Sequence, residues 1–170
     1  MNKETRIQKI EAILKQRPTG SEKIVWKDKL ETMPVHEIPL KYLIYNKYNG
    51  RILSRTKSLE AQGVEIDPES EDGEKIISDL LWDSKRDRNE RTKDDIEKYG
   101  QKKVGIITKD GIIIDGNRRV MLLNQIDKFD YFRAIVLDVT SDQDLLGIVK
   151  LDTSYQMGED EKLAYNPIEV

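Results

Sequence analysis

The chain has 170 residues, 37% hydrophobic and 36% charged, with 32 acidic against 29 basic side chains and a net charge of −3. That describes one domain with a real core, not a disordered tail or a histone-like basic binder. There is no cysteine and a single histidine, His36, which removes disulfides, thiolate catalysis, iron–sulfur clusters and multi-histidine metal sites and leaves carboxylates, Lys, Arg and nucleotide-type ligands for chemistry.

No apolar run approaches the roughly 20 residues that span a bilayer, and the start Met1-Asn2-Lys3-Glu4 has no apolar signal region. The expected setting is cytoplasmic, with no membrane partner. Ile7, Ile10, Ile13 and Leu14 recur at helical spacing until Pro18-Thr19-Gly20, which predicts a short helix in an N-terminal extension over residues 1–22. Ile24-Val25-Trp26 and Val35-His36-Glu37-Ile38 read as short strands, the second an edge strand on which His36 is a hydrogen-bonded structural residue. Residues 45–51 are turn-forming. Residues 54–73, with Gly63, Pro68 and a run of acids, read as a loop or insertion.

Ile76, Ile77, Leu80 and Leu81 predict an amphipathic helix over residues 74–85. The basic stretch after it holds Lys85, Arg86, Arg88, Arg91 and Lys93. It is most often a solvated helix end, and its functional reading is a salt-dependent, sequence-independent contact to a DNA backbone or to nucleotide phosphates. Thr92-Lys93-Asp94-Asp95 fits a capping box opening a helix that ends at Gly100. Residues 104–108 and 112–114 then form a hairpin around Lys109-Asp110-Gly111, with Asp-Gly supplying the positive backbone angles of a two-residue turn. A helix through Val120, Leu122, Leu123 and Ile126 follows, then a strand over residues 133–137 and a helix capped by Ser141-Asp142. The chain ends as a new amphipathic pattern with Leu163 and Ile168 begins, which reads as a cut within a longer protein.

The most informative segment is Ile112-Ile113-Ile114-Asp115-Gly116-Asn117-Arg118-Arg119-Val120. A buried strand passes through a glycine turn into a helix whose first turn carries an Asn suited to capping and two arginines. Backbone amides, the helix dipole and guanidinium forks together suit an anion, best a phosphate. Asp115 is placed to hold a metal-bound water, orient an arginine or bind a ribose hydroxyl. The competing reading is a plain strand-to-helix turn with solvated arginines. Other motifs fail: Gly100 and Gly105 have P-loop spacing, yet Ile106-Ile107 stand where Lys-Ser/Thr is needed, and Asp160-Glu161-Lys162 is ordinary in so charged a chain. Trp26, Trp82, Tyr42, Tyr45 and Tyr48 read as core or rim residues, with Tyr45 and Tyr48 the reserve candidates for stacking a base.

The order of these motifs resembles the N-terminal domain of the ParB/sulfiredoxin superfamily from Val35 onward. Residues 35–40 are similar to its opening strand, and Asn46 to Arg51 to its Asn-Pro-x-x-x-Arg turn with Lys47 in place of the proline. Asp115 to Arg119 is similar to its Gly-x-Arg-Arg phosphate motif, and Tyr165-Asn166-Pro167-Ile168-Glu169 to the link toward a helix-turn-helix domain. The resemblance implies an α/β (α+β) fold with a small mixed sheet and flanking helices. It also implies that the turn holds the phosphates of a nucleoside triphosphate, CTP or ATP, usually with Mg²⁺. Carried over by position, Gly116, Asn117, Arg118, Arg119 and Arg51 contact phosphate, and Asp115, Arg118 and Arg119 serve any hydrolysis that acts as a switch for association with DNA or a second copy of the chain. Asn117 stands where the family has an acidic residue, Asp152 to Met157 lacks the arginine of the family's Glu-Asn-x-x-Arg helix, and sulfiredoxin chemistry is excluded because it needs a cysteine. Two alternatives remain at this point: a metal-dependent DNA nuclease of a mobile element or defence system, its metal ligands unknown beyond Asp115, and a non-catalytic interaction module.

Overall fold

The computed structural model describes residues 1–141. Its elements are α1 (Lys3–Leu14), β1 (Gly20–Trp26), β2 (Lys29–Pro39), α2 (Leu53–Ala61), α3 (Glu71–Ser84), α4 (Arg86–Tyr99), β3 (Gly105–Thr108), β4 (Ile113–Asp115), α5 (Asn117–Asn124) and β5 (Tyr131–Leu137). The strands form one mixed sheet in the order β1-β2-β5-β3-β4, with β3 and β5 parallel and every other neighbouring pair antiparallel. The expected α/β class with a small mixed sheet and flanking helices is what the chain adopts. No described helix is long and apolar enough to cross a membrane.

Strand alternation sends successive side chains to opposite faces of the sheet. Ile107, Ile113, Phe132 and Ala134 join Ile10 of α1, Ile77 and Leu81 of α3, Ile96 of α4 and Val120 to Leu123 of α5 in the larger core. Their neighbours Ile106, Ile114 and Ile135 join Ile24, Trp26, Val35, Leu137 and Val139 in a second cluster. The four consecutive buried residues of α5 read as more than one helical stripe because that helix is covered on nearly every side.

Several expectations change. The helix over residues 3–14 is not an appended extension: Ile10 is fully buried, and Arg6, almost as deep, donates to the Asp110 carbonyl at 2.5 Å and to Glu69 at 2.8 Å. β1 and β2 form a hairpin rather than two separate short strands, so β2 is internal and His36 is buried beside β5, its Nε2 3.3 Å from the Gln16 carbonyl. The turn is Lys27-Asp28, with φ of 53° and 63°, the two positive values of a tight hairpin turn but without the glycine that usually announces one. The 54–73 stretch is not simply a loop. It contains α2 and the start of α3, fastened by the buried Ile52, Thr56 and Ile66. α3 starts at a Ser70 cap whose hydroxyl accepts from the Gly73 amide at 3.0 Å. The Thr92 capping box does not form, because α4 already runs from Arg86 and Thr92 lies in its middle; the stop at Gly100, φ 78°, holds. In the β3–β4 hairpin only Gly111 takes a positive φ, 88°, and the loop has three residues, with Thr108 N donating to the Ile112 carbonyl at 2.9 Å. The readings of the helix after Ser141, of residues 152–157 and of the chain's end lie outside the described residues.

Tyr45 is 4% exposed and its hydroxyl accepts from Asn124 Nδ2 at 3.1 Å, which rules it out as a stacking platform, whereas Tyr48 is 47% exposed. Burial, only partly offset by the Asn124 hydrogen bond, pushes the Tyr45 phenol up to about 12. A folded-state pKa above the unfolded value of 10.0 stabilises the fold fully below pH 10 and loses that contribution as the pH rises toward 12. Urea titrations at pH 8 and 11 should show wild type losing about 1.4 kcal/mol more than Tyr45→Phe, the equivalent of one pKa unit. Equal losses would show that the phenol is solvated.

Candidate functional site

The glycine turn carries the site. Gly116 has a φ of 114° and serves as the N-cap of α5, a conformation that side-chain-bearing residues rarely adopt. Space makes the same demand. A Cβ on Gly116 would lie 2.5 Å from Phe132 Cζ, and one on Gly105 would lie 2.0 Å from the same atom. The Phe132 ring, fully buried, therefore lies in a slot between two glycines and fixes where β4 turns into α5.

Asn117 does not cap α5, contrary to the sequence reading. Its Oδ1 accepts from the Asn46 amide at 2.9 Å and its Nδ2 donates to the Ile113 carbonyl at 3.2 Å. No side chain caps the helix; the first amide in its ladder is that of Val120, donating to the Gly116 carbonyl at 2.9 Å. The amides of residues 117–119 precede it at the positive end of the helix dipole. The Asn46 bond has a second effect. Asn49 Nδ2 donates to the Asn46 carbonyl at 2.6 Å and Asn49 Oδ1 accepts from the Arg51 amide at 3.2 Å, so three asparagines fasten the 46–51 turn to α5 and bring Arg51 to it. Within this turn, burial alone would lower the Lys47 pKa, but its 3.0 Å bond to the Glu60 carboxylate raises it on balance, and the same bond holds Glu60 below its ordinary range.

These elements enclose a cleft of about 260 Å³ lined by Asn49, Arg51, Arg88, Thr92, Lys103, Ile114, Asp115 and residues 116–119. Five cations line it against one carboxylate. Arg119 donates to the Lys103 carbonyl at 3.0 Å and lies 3.7 Å from Asp115 Oδ2. That oxygen is buried and has no hydrogen-bond donor. Arg118 reaches across to α4, where its Nε donates to Asn89 Oδ1 and its Nη2 to Thr92 Oγ1 at 2.8 Å.

All the residues read from sequence as phosphate contacts thus share one cleft. The basic run does not stay together. Successive α-helical residues are turned by about 100°, so Arg88 and Thr92 face the cleft while Arg86, about 200° from Arg88, pairs with Asp83 at 2.8 Å. Lys85 and Arg91 are exposed and Lys93 is half-buried, and none of the three lines the cleft. Lys103, Asn89, Asn49 and Thr92 were not legible as site residues, since each depends on a turn or helix packing brought from elsewhere in the chain. A larger groove of about 560 Å³ lies at the other end of α5, around Leu123, Asn124 and Tyr131, but it sets Lys41 against Asp127 and Asp130 and has none of this positive character.

Among the described residues there is no group of three or more His, Asp and Glu arranged to hold a metal ion. No family model, curated protein or solved structure matches the chain.

Proposed function

We propose that the cleft binds the phosphates of a nucleoside triphosphate, CTP or ATP, and that the chain is a ParB-like nucleotide-binding domain of a DNA-associated protein, with nucleotide occupancy acting as the switch. The observation that carries this reading is the meeting of Arg51, Arg88, Lys103, Arg118 and Arg119 at the amino end of α5, around a space of about 260 Å³. Helix amides and guanidinium forks are the two devices that proteins combine on phosphate. In this reading Arg118 and Arg119 neutralise charge on the phosphates, Arg51 closes the site from the opposite turn, Gly116 lets the phosphates approach the backbone, and Asn117 holds the opposite wall in place.

Mg²⁺, which the family resemblance implies, fits this donor set as an ion carried in by the phosphates. Such an ion needs one or two protein carboxylates, and the buried, donor-less Asp115 Oδ2 is suited to it. Bound there, Mg²⁺ would supply charge neutralisation at the phosphate oxygens. Hydrolysis, where it occurs, rests on positioning and electrostatic stabilisation by these side chains. The nuclease alternative has less support, because Asp115 is the one carboxylate among the described residues that line the cleft.

Calorimetric and thermal-shift titration with CTP, ATP, GTP and UTP, each with and without Mg²⁺, tests the reading, since any ligand selective for the folded state raises its melting temperature. A triphosphate present at 100 times its Kd should stabilise the fold by about 2.7 kcal/mol. No stabilisation by any of the four would sink the proposal.

A further inference from the structure

Asn89 is fully buried in a helix of otherwise very polar composition, and each of its side-chain groups is used. Its Nδ2 donates to the carbonyls of Leu81, 3.1 Å away, and Trp82, 2.8 Å away, in the last turn of α3. Its Oδ1 accepts from Arg118 Nε in the first turn of α5. The two halves of the amide thus do separate things. The nitrogen closes the end of α3, bonding the Trp82 carbonyl and sharing the Leu81 carbonyl with the Ser84 hydroxyl; the oxygen points the other way and meets the guanidinium at the cleft. Thr92, one turn further along α4, accepts from Nη2 of the same arginine at 2.8 Å. Arginine loses considerable rotamer freedom when fixed, and two acceptors on one helix fix its plane as well as its place.

Resting on the phosphate-binding reading, we propose that Asn89 is a positioning residue of that site: its oxygen, with Thr92 Oγ1, aims the Arg118 guanidinium before the ligand arrives. The consequence is a division between affinity and stability within one side chain. Asn89→Asp keeps an acceptor toward Arg118 and loses the donors to α3, whereas Asn89→Leu loses both.

The test is calorimetry with inorganic triphosphate as the probe, alongside thermal melts, on the full chain. Both variants should lower the melting temperature. Asn89→Leu should bind about tenfold more weakly than wild type, a difference of about 1.4 kcal/mol by the standard conversion, while Asn89→Asp, whose carboxylate keeps the acceptor but adds a negative charge facing the triphosphate, should lose affinity at low salt and regain part of it at high salt. In an Arg118→Ala background, Asn89→Leu should change the residual affinity less than twofold, because nothing remains to be aimed. Asn89→Ser, which withdraws the acceptor without adding apolar bulk, carries the same arm if the leucine variant does not fold. An affinity loss for Asn89→Leu that is as large in the Arg118→Ala background as in wild type overturns the proposal and leaves Asn89 a structural residue. Wild-type affinity in Asn89→Leu together with lost binding in Arg118→Ala overturns it too, while the phosphate-binding reading stands. Absence of binding by wild type overturns both.

Discussion

Arg119→Ala is expected to weaken triphosphate binding by roughly thirtyfold, the equivalent of about 2 kcal/mol for one charge-assisted contact, with a smaller loss of folding stability from leaving the Asp115 carboxylate without its cation. The reason lies in what the side chain does without ligand. It is tethered by one bond to the Lys103 carbonyl and a looser 3.7 Å approach to Asp115, neither of which the core needs. Arg118→Ala should lose affinity as well, but it also cuts the ties to Asn89 and Thr92 and should cost folding stability of about 1–2 kcal/mol. Arg86→Ala is the control: that side chain is exposed and paired with Asp83, so its removal should leave affinity unchanged. Isothermal titration of the three variants separates them. Equal affinities in wild type and Arg119→Ala would show that phosphate does not sit at the first turn of α5.

The second large effect belongs to the ring beneath the turn. Phe132→Ala should destabilise the fold by about 3–5 kcal/mol, the range for emptying a fully buried aromatic site. Gly116→Ala should cost about 3 kcal/mol through the combined strain of a positive φ and a Cβ pressed on the same ring. For a chain of this size, 3 kcal/mol lowers the melting temperature by about 6–12 °C. The two substitutions should be strongly non-additive, since the Cβ added in Gly116→Ala enters space that Phe132→Ala vacates. Urea denaturation of the single and double variants measures this coupling. Additive losses would show that ring and turn do not touch.

Much of the sheet was legible from periodicity alone. β3, β4, β5 and α3 announce themselves through runs such as Ile112-Ile113-Ile114 and through the 76, 77, 80, 81 spacing, because burial of one stripe or face leaves a pattern. What escaped is physically different. The β1–β2 hairpin turns on Lys27-Asp28, residues that adopt positive φ only because a register of seven paired residues forces them to. α2 has a weak apolar stripe and is held by a few buried residues such as Ile52 and Thr56, so its sequence looks like loop. The first turns of α4 are almost wholly charged, and tertiary packing of Asn89 and Ile96 overrides what a local cap would choose. The same holds at the site: Gly116 and the arginine pair were readable, but the roles of Asn117, Asn89 and Lys103 belong to contacts that no spacing encodes.

The cleft gathers residues 49, 51, 88, 92, 103 and 114–119, and its turn rests on a ring from β5 at residue 132. During synthesis, when chains grow from the amino end at about 5–20 residues per second, the β1–β2 hairpin and helices α1 to α4 all precede α5 and its support. The β2–β5 pairing joins His36 to Ala134, so the sheet that carries the turn closes only when β5 has left the ribosome. The cleft therefore has no existence in a nascent chain until β5 emerges, and a ligand that requires it can report only on molecules whose sheet is complete.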